Sequence, residues 1–227
     1  MNDNRLGGLA LILGAVFGIL TLTFHPAGGS HHLSPAQFER LIAIIVGVHA
    51  LALFGLPISF AGGLALTRRI DSPARLALSG LIVFGFGLVA VLAAATMSGL
   101  VMPDMLRQIA AKSGSADSLH PLMRFTHSLN QAFAEVHAVA FSVAIVLWSL
   151  VAMRTRTLPM VLSLYGLVSC SAIMVAIFVG YLNLELHGFR LVTLIQSLWF
   201  LAAGVILWRA SRPPIGAGLH AGEDSNI

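Results

Sequence analysis

The stretch His127-Ser-Leu-Asn-Gln-Ala-Phe-Ala-Glu-Val-His137 carries polar and ionisable side chains directly into an apolar run that ends near Met153. Apart from Ser128, the polar residues are His127, Asn130, Gln131, Glu135 and His137. At about 100° per residue, these side chains share about half the circumference of one helix, and the rest is apolar. A charge that faces acyl chains costs about 2.5 kcal/mol or more. The polar face is therefore predicted to turn toward other helices or a water-filled cavity.

The composition excludes an ordinary soluble domain. Of the 227 residues, 57% are hydrophobic and 10% are charged, and the mean hydropathy is +0.90. The 13 Lys and Arg residues are spread over short gaps between apolar runs, so they form no dense patch for nucleic acid. The single cysteine, Cys170, allows neither an intramolecular disulfide nor a CxxC redox motif. The chain is predicted to be an all-α polytopic membrane protein whose environment is the lipid bilayer.

Six apolar runs are long enough to cross a bilayer as helices. Ser34 followed by Pro35 is a typical N-cap with Pro at the first helical position, so the second helix should begin there. Pro57 should kink that helix. In the first run, Gly14 and Gly18 form a GxxxG spacing that permits close helix packing. The predicted spans are 6–24, 41–66, 76–102, 130–153, 158–184 and 189–208, with a helix on the membrane surface at 104–112.

An even number of spans puts both termini on one side of the membrane. Eight basic residues flank that side and five flank the other, and an excess of Lys and Arg in short loops predicts the cytoplasmic face. Both termini are therefore predicted to be cytoplasmic, in a bacterial inner membrane. Residues 1–209 should form a single six-helix transmembrane bundle and residues 210–227 a disordered cytoplasmic tail. Eight of the nine histidines then lie in external loops or in the outer halves of spans.

His49 and His137 are predicted to reach a similar depth on different helices. Each lies seven or eight residues inside its span, which is about 10–12 Å below the outer boundary. Two neutral imidazoles at matched depth are the minimum for axial ligation of a b-type haem. Adding His127 or Glu135 gives a His/carboxylate set suited to a transition metal such as Zn, Fe or Cu. The wider outward-facing pocket, between spans two, four, five and six, should also include Asn130, Gln131, Glu185, His187 and Gln196.

These polar residues also have purely structural interpretations. A membrane histidine can be held by one Ser hydroxyl or one backbone carbonyl. His137 and Glu135 can fix the register of the bundle through hydrogen bonds to neighbouring helices. The pair His31-His32 is expected to be a solvated loop rather than a metal site. The sequence leaves the structural and the ligand-binding interpretations open.

Three stretches outside the polar helix carry a family resemblance. They are the opening segment Arg5–Gly18, the basic turn at Arg68-Arg69 before the third span, and Arg156–Gly166, where Pro and then Gly enter the fifth span. These features resemble a group of uncharacterised bacterial six-helix inner-membrane proteins classified as a domain of unknown function. The resemblance covers nearly the whole chain and implies the six-helix fold. It implies no catalytic residue.

The sequence leaves three functions open. The first is a membrane protein that binds haem or a transition metal and transfers electrons. The second is a protein that binds or transports a small polar or cationic solute, with Glu135 as the charged partner. The third is an accessory subunit that acts as a homo-oligomer or with a membrane partner. Nothing in the sequence decides whether the protein is an enzyme.

Overall fold

The computed structural model describes residues 3–26, 34–70, 75–111 and 116–210. All regular structure within these residues is helical. Six helical segments are long and apolar enough to cross a membrane, which confirms the prediction of an all-α, six-helix membrane bundle. The helices are α1 Asp3–Phe24, α2 Pro35–Arg69, α3 Arg75–Thr96, α4 Met102–Ala111, α5 Ala116–Thr155, α6 Met160–Phe178 and α7 Leu186–Arg209, with a π-helical segment Met97–Val101 between α3 and α4.

The start of α2 follows directly from its sequence. The Ser34 hydroxyl accepts from the Gln37 backbone N–H at 3.3 Å, and Gln37 Oε1 accepts from the Ser34 N–H at 2.9 Å. This reciprocal pair is a capping box, which satisfies two backbone donors that the helix itself leaves unpaired. The predicted start at Ser34-Pro35 is confirmed, and α2 continues through Pro57 to Arg69.

Helices α2 and α5 extend beyond their predicted spans, while α6 is shorter than its span. Helix α5 has 40 residues and is about 60 Å long, so the polar stretch lies in the middle of a helix that begins well before residue 130. Helix α6 ends at Phe178 rather than at residue 184, and Gly180 follows it with φ +79°. That φ lies in the left-handed region, which glycine adopts without strain.

The predicted surface helix is a continuation of α3. The π-helical segment joins α3 to α4 without a break, and Pro103 and Met105 of α4 are buried. The opposite side of α4 carries Arg107, whose guanidinium lies 3.1 Å from the Glu39 carboxylate of α2. Both side chains are exposed, so this ion pair contributes little to stability.

The first and last helices bring the two ends of the described chain together. The backbone of Gly8 in α1 lies against the backbone of Gly204 in α7, and Gly7 lies against Ala65 near the end of α2. We call this the terminal end of the bundle, and the opposite end, where α1 finishes and α7 begins, the distal end. The predicted tail lies outside the described residues except for Ala210, as do His31 and His32.

The bundle core is aromatic and lies toward the terminal end. The rings of Trp148 and Trp199 stack with centroids 6.2 Å apart and planes 6° apart. The rings of Phe84 and Phe200 pack against Trp148 at 5.4 and 6.2 Å. This cluster joins α3, α5 and α7, while many large apolar side chains on the outer faces of the helices are exposed. Exposed apolar faces on long helices are what a lipid environment requires.

Candidate functional site

A cavity of about 110 Å³ lies inside the bundle between α1, α2, α3, α5 and α7. It occupies the distal half, because residues 11–22 of α1 and 189–200 of α7 line it. Among the described residues, no Asp, Glu, Lys or Arg lines this cavity. Its walls are mainly Leu, Phe, Gly and Ala, and the polar lining residues are Thr21, Ser59, His137, Thr193, Gln196 and Ser197.

His137 provides the clearest chemical feature of the cavity. The side chain is buried, and its Nδ1 lies 3.2 Å from the Gly87 carbonyl oxygen of α3. A carbonyl oxygen can only accept, so Nδ1 carries the proton and Nε2 of the neutral ring has a free lone pair. No other described residue makes a hydrogen bond with this ring. The ring packs against Phe141 and Phe189, with centroids 4.1 and 5.8 Å away.

Gln196 of α7 forms a second polar wall. Its Nε2 donates to the Ala138 carbonyl at 2.9 Å and to Ser142 Oγ at 3.0 Å, which fixes the amide against α5. Within the described part of the chain, its Oε1 and the Thr193 hydroxyl are buried without a hydrogen-bond partner. Unpaired buried polar atoms cost about 1–3 kcal/mol each. The cavity walls therefore hold unused hydrogen-bonding capacity in apolar surroundings.

The structure brings two of the nine predicted site residues to this cavity, namely His137 and Gln196. Asn130 and Gln131 are half-buried but do not line it. Four other residues considered for the pocket are exposed: His127 and Glu135 of α5, Glu185 immediately before α7, and His187 of α7.

The direction of its side chain explains why Glu135 is not in the cavity. Glu135 and His137 are two residues apart on α5, which turns their side chains about 200° from each other around the helix. His137 lines the cavity, whereas Glu135 lies on the outside of the bundle, where it is exposed. His127, about two turns before Glu135, is exposed as well. The polar stretch therefore does not turn inward as a single face.

The structure does not bring His49 and His137 together. His137 contacts the Gly87 carbonyl, whereas His49 packs beside Gly99, twelve residues further along the same helical segment. At about 1.5 Å per residue this is about 18 Å along the bundle. Two imidazole nitrogens on opposite sides of one ion lie about 4 Å apart. The two histidines thus do not form the axial pair expected from the sequence, and within the described segments no group of three or more His, Cys, Asp or Glu is placed to hold a metal ion.

The ring partner of His49 is His25, which follows the last residue of α1. From the sequence, His25 is only one of the eight histidines predicted to lie in external loops or in the outer halves of spans. The positions of His25 and His49 along their predicted spans put both near the same end of the bundle. Which helices are neighbours, however, depends on tertiary packing. Among the residues that line the cavity, Phe141 and Phe189 were also missed, because an apolar residue in a membrane helix gives no signal of its own.

Comparisons of the chain with protein-family models, with curated proteins and with solved structures found no match. The resemblance to the six-helix bacterial group therefore stays a prediction. The interpretation of the cavity rests on its own geometry.

Proposed function

We propose that this membrane protein binds a small, neutral, mainly apolar molecule that donates a hydrogen bond inside the cavity. The observation that carries this proposal is the free Nε2 lone pair of His137 in a cavity with mostly apolar walls. Pockets for small ligands typically combine apolar walls with a few placed polar groups. Gln196 Oε1 and Thr193 Oγ1 add polar atoms without partners of their own in the described chain.

The charge and size of the cavity restrict the ligand. The described residues contribute no carboxylate to the walls, which disfavours the cationic solute expected with Glu135 as its partner. Drug-sized ligands occupy pockets of about 300–1,000 Å³, so a cavity of about 110 Å³ is too small for haem. An apolar protein cavity of about 150 Å³ binds benzene. The ligand class is therefore a molecule of about five or six heavy atoms.

Pyrrole and furan provide a matched pair of probes, because both are five-membered rings and only pyrrole donates a hydrogen bond. Pyrrole is expected to bind about fivefold more tightly than furan, since one net hydrogen bond contributes about 1 kcal/mol. Binding to the folded state raises the thermal midpoint with probe concentration. The midpoint can be followed by the reaction of a thiol-specific dye with Cys170, which is buried and is the only cysteine.

Two glycine variants supply the control for this measurement. A Cβ on Gly18 would meet only the ends of Ser197 and Thr193 at 3.8 and 3.9 Å, so Gly18→Leu should fill the cavity. A Cβ on Gly47 would meet nothing within 4 Å, so Gly47→Leu should leave the cavity open. Pyrrole is expected to stabilise the parent and Gly47→Leu but not Gly18→Leu. An equal response of all three proteins, or no preference for pyrrole over furan, would reject the proposal.

The proposed location is a bacterial inner membrane with both termini in the cytoplasm. Arg68, Arg69 and Arg75 at the terminal end support this orientation, because basic residues in short loops favour the cytoplasmic side. A green fluorescent reporter fused after Arg212 should fluoresce, and an alkaline phosphatase inserted at Gly114 should be active. The reverse pattern would mean that both termini are external and that the distal half, which contains the cavity, faces the cytoplasm.

A homo-oligomer or a membrane partner subunit stays a prediction of the sequence alone. The mass of the purified protein in detergent, corrected for bound detergent, tests it.

A further inference from the structure

Two imidazole rings meet at the distal end of the bundle, about one helical turn beyond the cavity-lining residues Leu22 and Ala52. His25 follows α1, and His49 lies in the first half of α2. Their ring centroids are 5.1 Å apart and their planes are inclined by 72°. His49 is buried and His25 is half-buried, so both rings are largely removed from bulk solvent.

Hydrogen bonds to backbone carbonyls fix the tautomer of each ring. Nδ1 of His49 donates to the Ile45 carbonyl at 2.7 Å, and Nδ1 of His25 donates to the Pro26 carbonyl at 3.2 Å. Each Nε2 therefore has a free lone pair, and no described residue donates to either of them. A metal-ligating histidine usually has this arrangement, in which one ring nitrogen donates to a carbonyl and the other binds the ion.

The ring separation fits one ion with tetrahedral coordination. With metal–nitrogen bonds of about 2.0–2.1 Å, two imidazoles on a tetrahedral ion have centroids about 5 Å apart. Two imidazoles on opposite sides of an ion have centroids about 6.4 Å apart. The observed 5.1 Å is close to the tetrahedral value and shorter than the linear one. Zn²⁺ is the common biological ion that takes histidine nitrogen in this geometry.

Neighbouring elements hold both rings in place. Gly99 in the π-helical segment packs directly against the His49 side chain, where a Cβ would have no room. Isolated π-helical turns are frequent at functional sites. Arg190 of α7 donates to the carbonyl oxygens of Leu22 and His25 at 2.9 and 2.8 Å, which ties the end of α1 to α7.

The electrostatic surroundings have two opposing consequences for a cation. Burial lowers the pKa of His25, the hydrogen bond to Pro26 opposes this shift, and the charge of Arg190 adds to it. The shift favours the neutral imidazole, which is the form that binds a metal ion. The same positive charge on Arg190 repels a cation, which limits the affinity.

We propose that His25 and His49 together bind a divalent transition-metal ion, Zn²⁺ in the first instance, through their Nε2 atoms at the distal end of the bundle. Two protein ligands leave two tetrahedral positions for water or for an exogenous ligand, so the site is open rather than structural. The site shares no residue with the cavity. If the metal-binding proposal fails, the proposal of a small-molecule cavity is unaffected, and the reverse also holds.

The test is Zn²⁺ binding to the full-length protein in detergent, measured by calorimetry and by metal content after dialysis. Co²⁺, which replaces Zn²⁺ and gives intense visible absorption in tetrahedral sites, reports the geometry. The parent is expected to bind one ion per chain. His25→Ala and His49→Ala should each weaken binding by at least about tenfold, the effect that loss of even an outer-shell partner can produce. The Cys170 dye assay shows whether each variant is folded.

Exposed histidines provide the controls. His127→Ala and His187→Ala remove imidazoles from the surface and should bind Zn²⁺ like the parent. A parent protein that binds no Zn²⁺ would overturn the proposal, as would binding that persists in both His25→Ala and His49→Ala. Binding that survives those two changes but is lost when His31 and His32 are replaced by Ala would assign the ion to that pair instead.

Discussion

Replacement of Trp148 by Ala is expected to lower the free energy of unfolding by about 3–5 kcal/mol, the usual cost of truncating a large buried aromatic side chain. Trp148 is fully buried and stacks on Trp199 in the aromatic core. Its Nε1 donates to Thr67 Oγ1 at 3.1 Å and to the Ala77 carbonyl at 3.2 Å. Lipid tails are as apolar as this core, so packing contacts and hydrogen bonds, rather than transfer out of water, account for the loss.

Cys170 offers a direct measurement of this effect. It is fully buried in the same core as Trp148, so a thiol-specific dye reacts with it only when the bundle opens. The dye-reaction midpoint of Trp148→Ala should fall far below that of the parent. Phe86→Ala is the matched control, because the Phe86 ring is 68% exposed and its loss should change the midpoint little. Equal midpoints for the two variants would show that the core does not hold the bundle together.

The six-helix fold could be predicted because it depends on local properties of the chain. Apolar runs of sufficient length give spans in lipid, since every backbone polar group must be satisfied within its own helix. The capping pair of Ser34 and Gln37 likewise uses residues only three positions apart. The side of the membrane that the termini face was inferred from charge alone and stays a prediction.

The candidate site could be predicted only in part, and α5 shows why. Periodicity placed five polar side chains on about half of one helix, but it does not tell which of them face the cavity. Glu135 is exposed on the outside of the bundle, while His137, only two residues later, is buried in the cavity wall. A shift of two residues turns the side chain by about 200° around the helix. The direction of each side chain therefore separates the two residues.

Contacts between helices could not be predicted from spacing. Depth alone suggested His137 as the partner of His49, whereas the packing of α1 against α2 places His25 beside it. The GxxxG spacing predicted a packing role for both of its glycines. Gly14 does pack against Ser59 of α2, but Gly18 faces the cavity.

The Gly8→Ala variant is expected to destabilise the bundle, because α1 and α7 touch backbone to backbone at this point. A Cβ on Gly8 would lie 2.6 Å from the Gly204 carbonyl oxygen and 2.6 Å from the Trp208 backbone nitrogen. Neither atom belongs to a flexible side chain, so the two helices must separate. Overpacking of this kind typically costs about 1–3 kcal/mol. The contact is reciprocal, since a Cβ on Gly204 would lie 2.8 Å from the Gly8 carbonyl oxygen.

The Gly47→Ala variant is the control that separates the effect of the α1–α7 contact from the gain in helix propensity. Replacing Gly by Ala inside a helix gains about 1 kcal/mol in helix propensity. Both variants gain this amount, but a Cβ on Gly47 meets nothing within 4 Å. In the Cys170 dye assay, Gly47→Ala should therefore match or exceed the midpoint of the parent, while Gly8→Ala falls below it. If the midpoints of both variants rise, α1 and α7 do not approach as closely as Gly8 and Gly204 indicate. The position of α1 in the cavity wall would then be wrong.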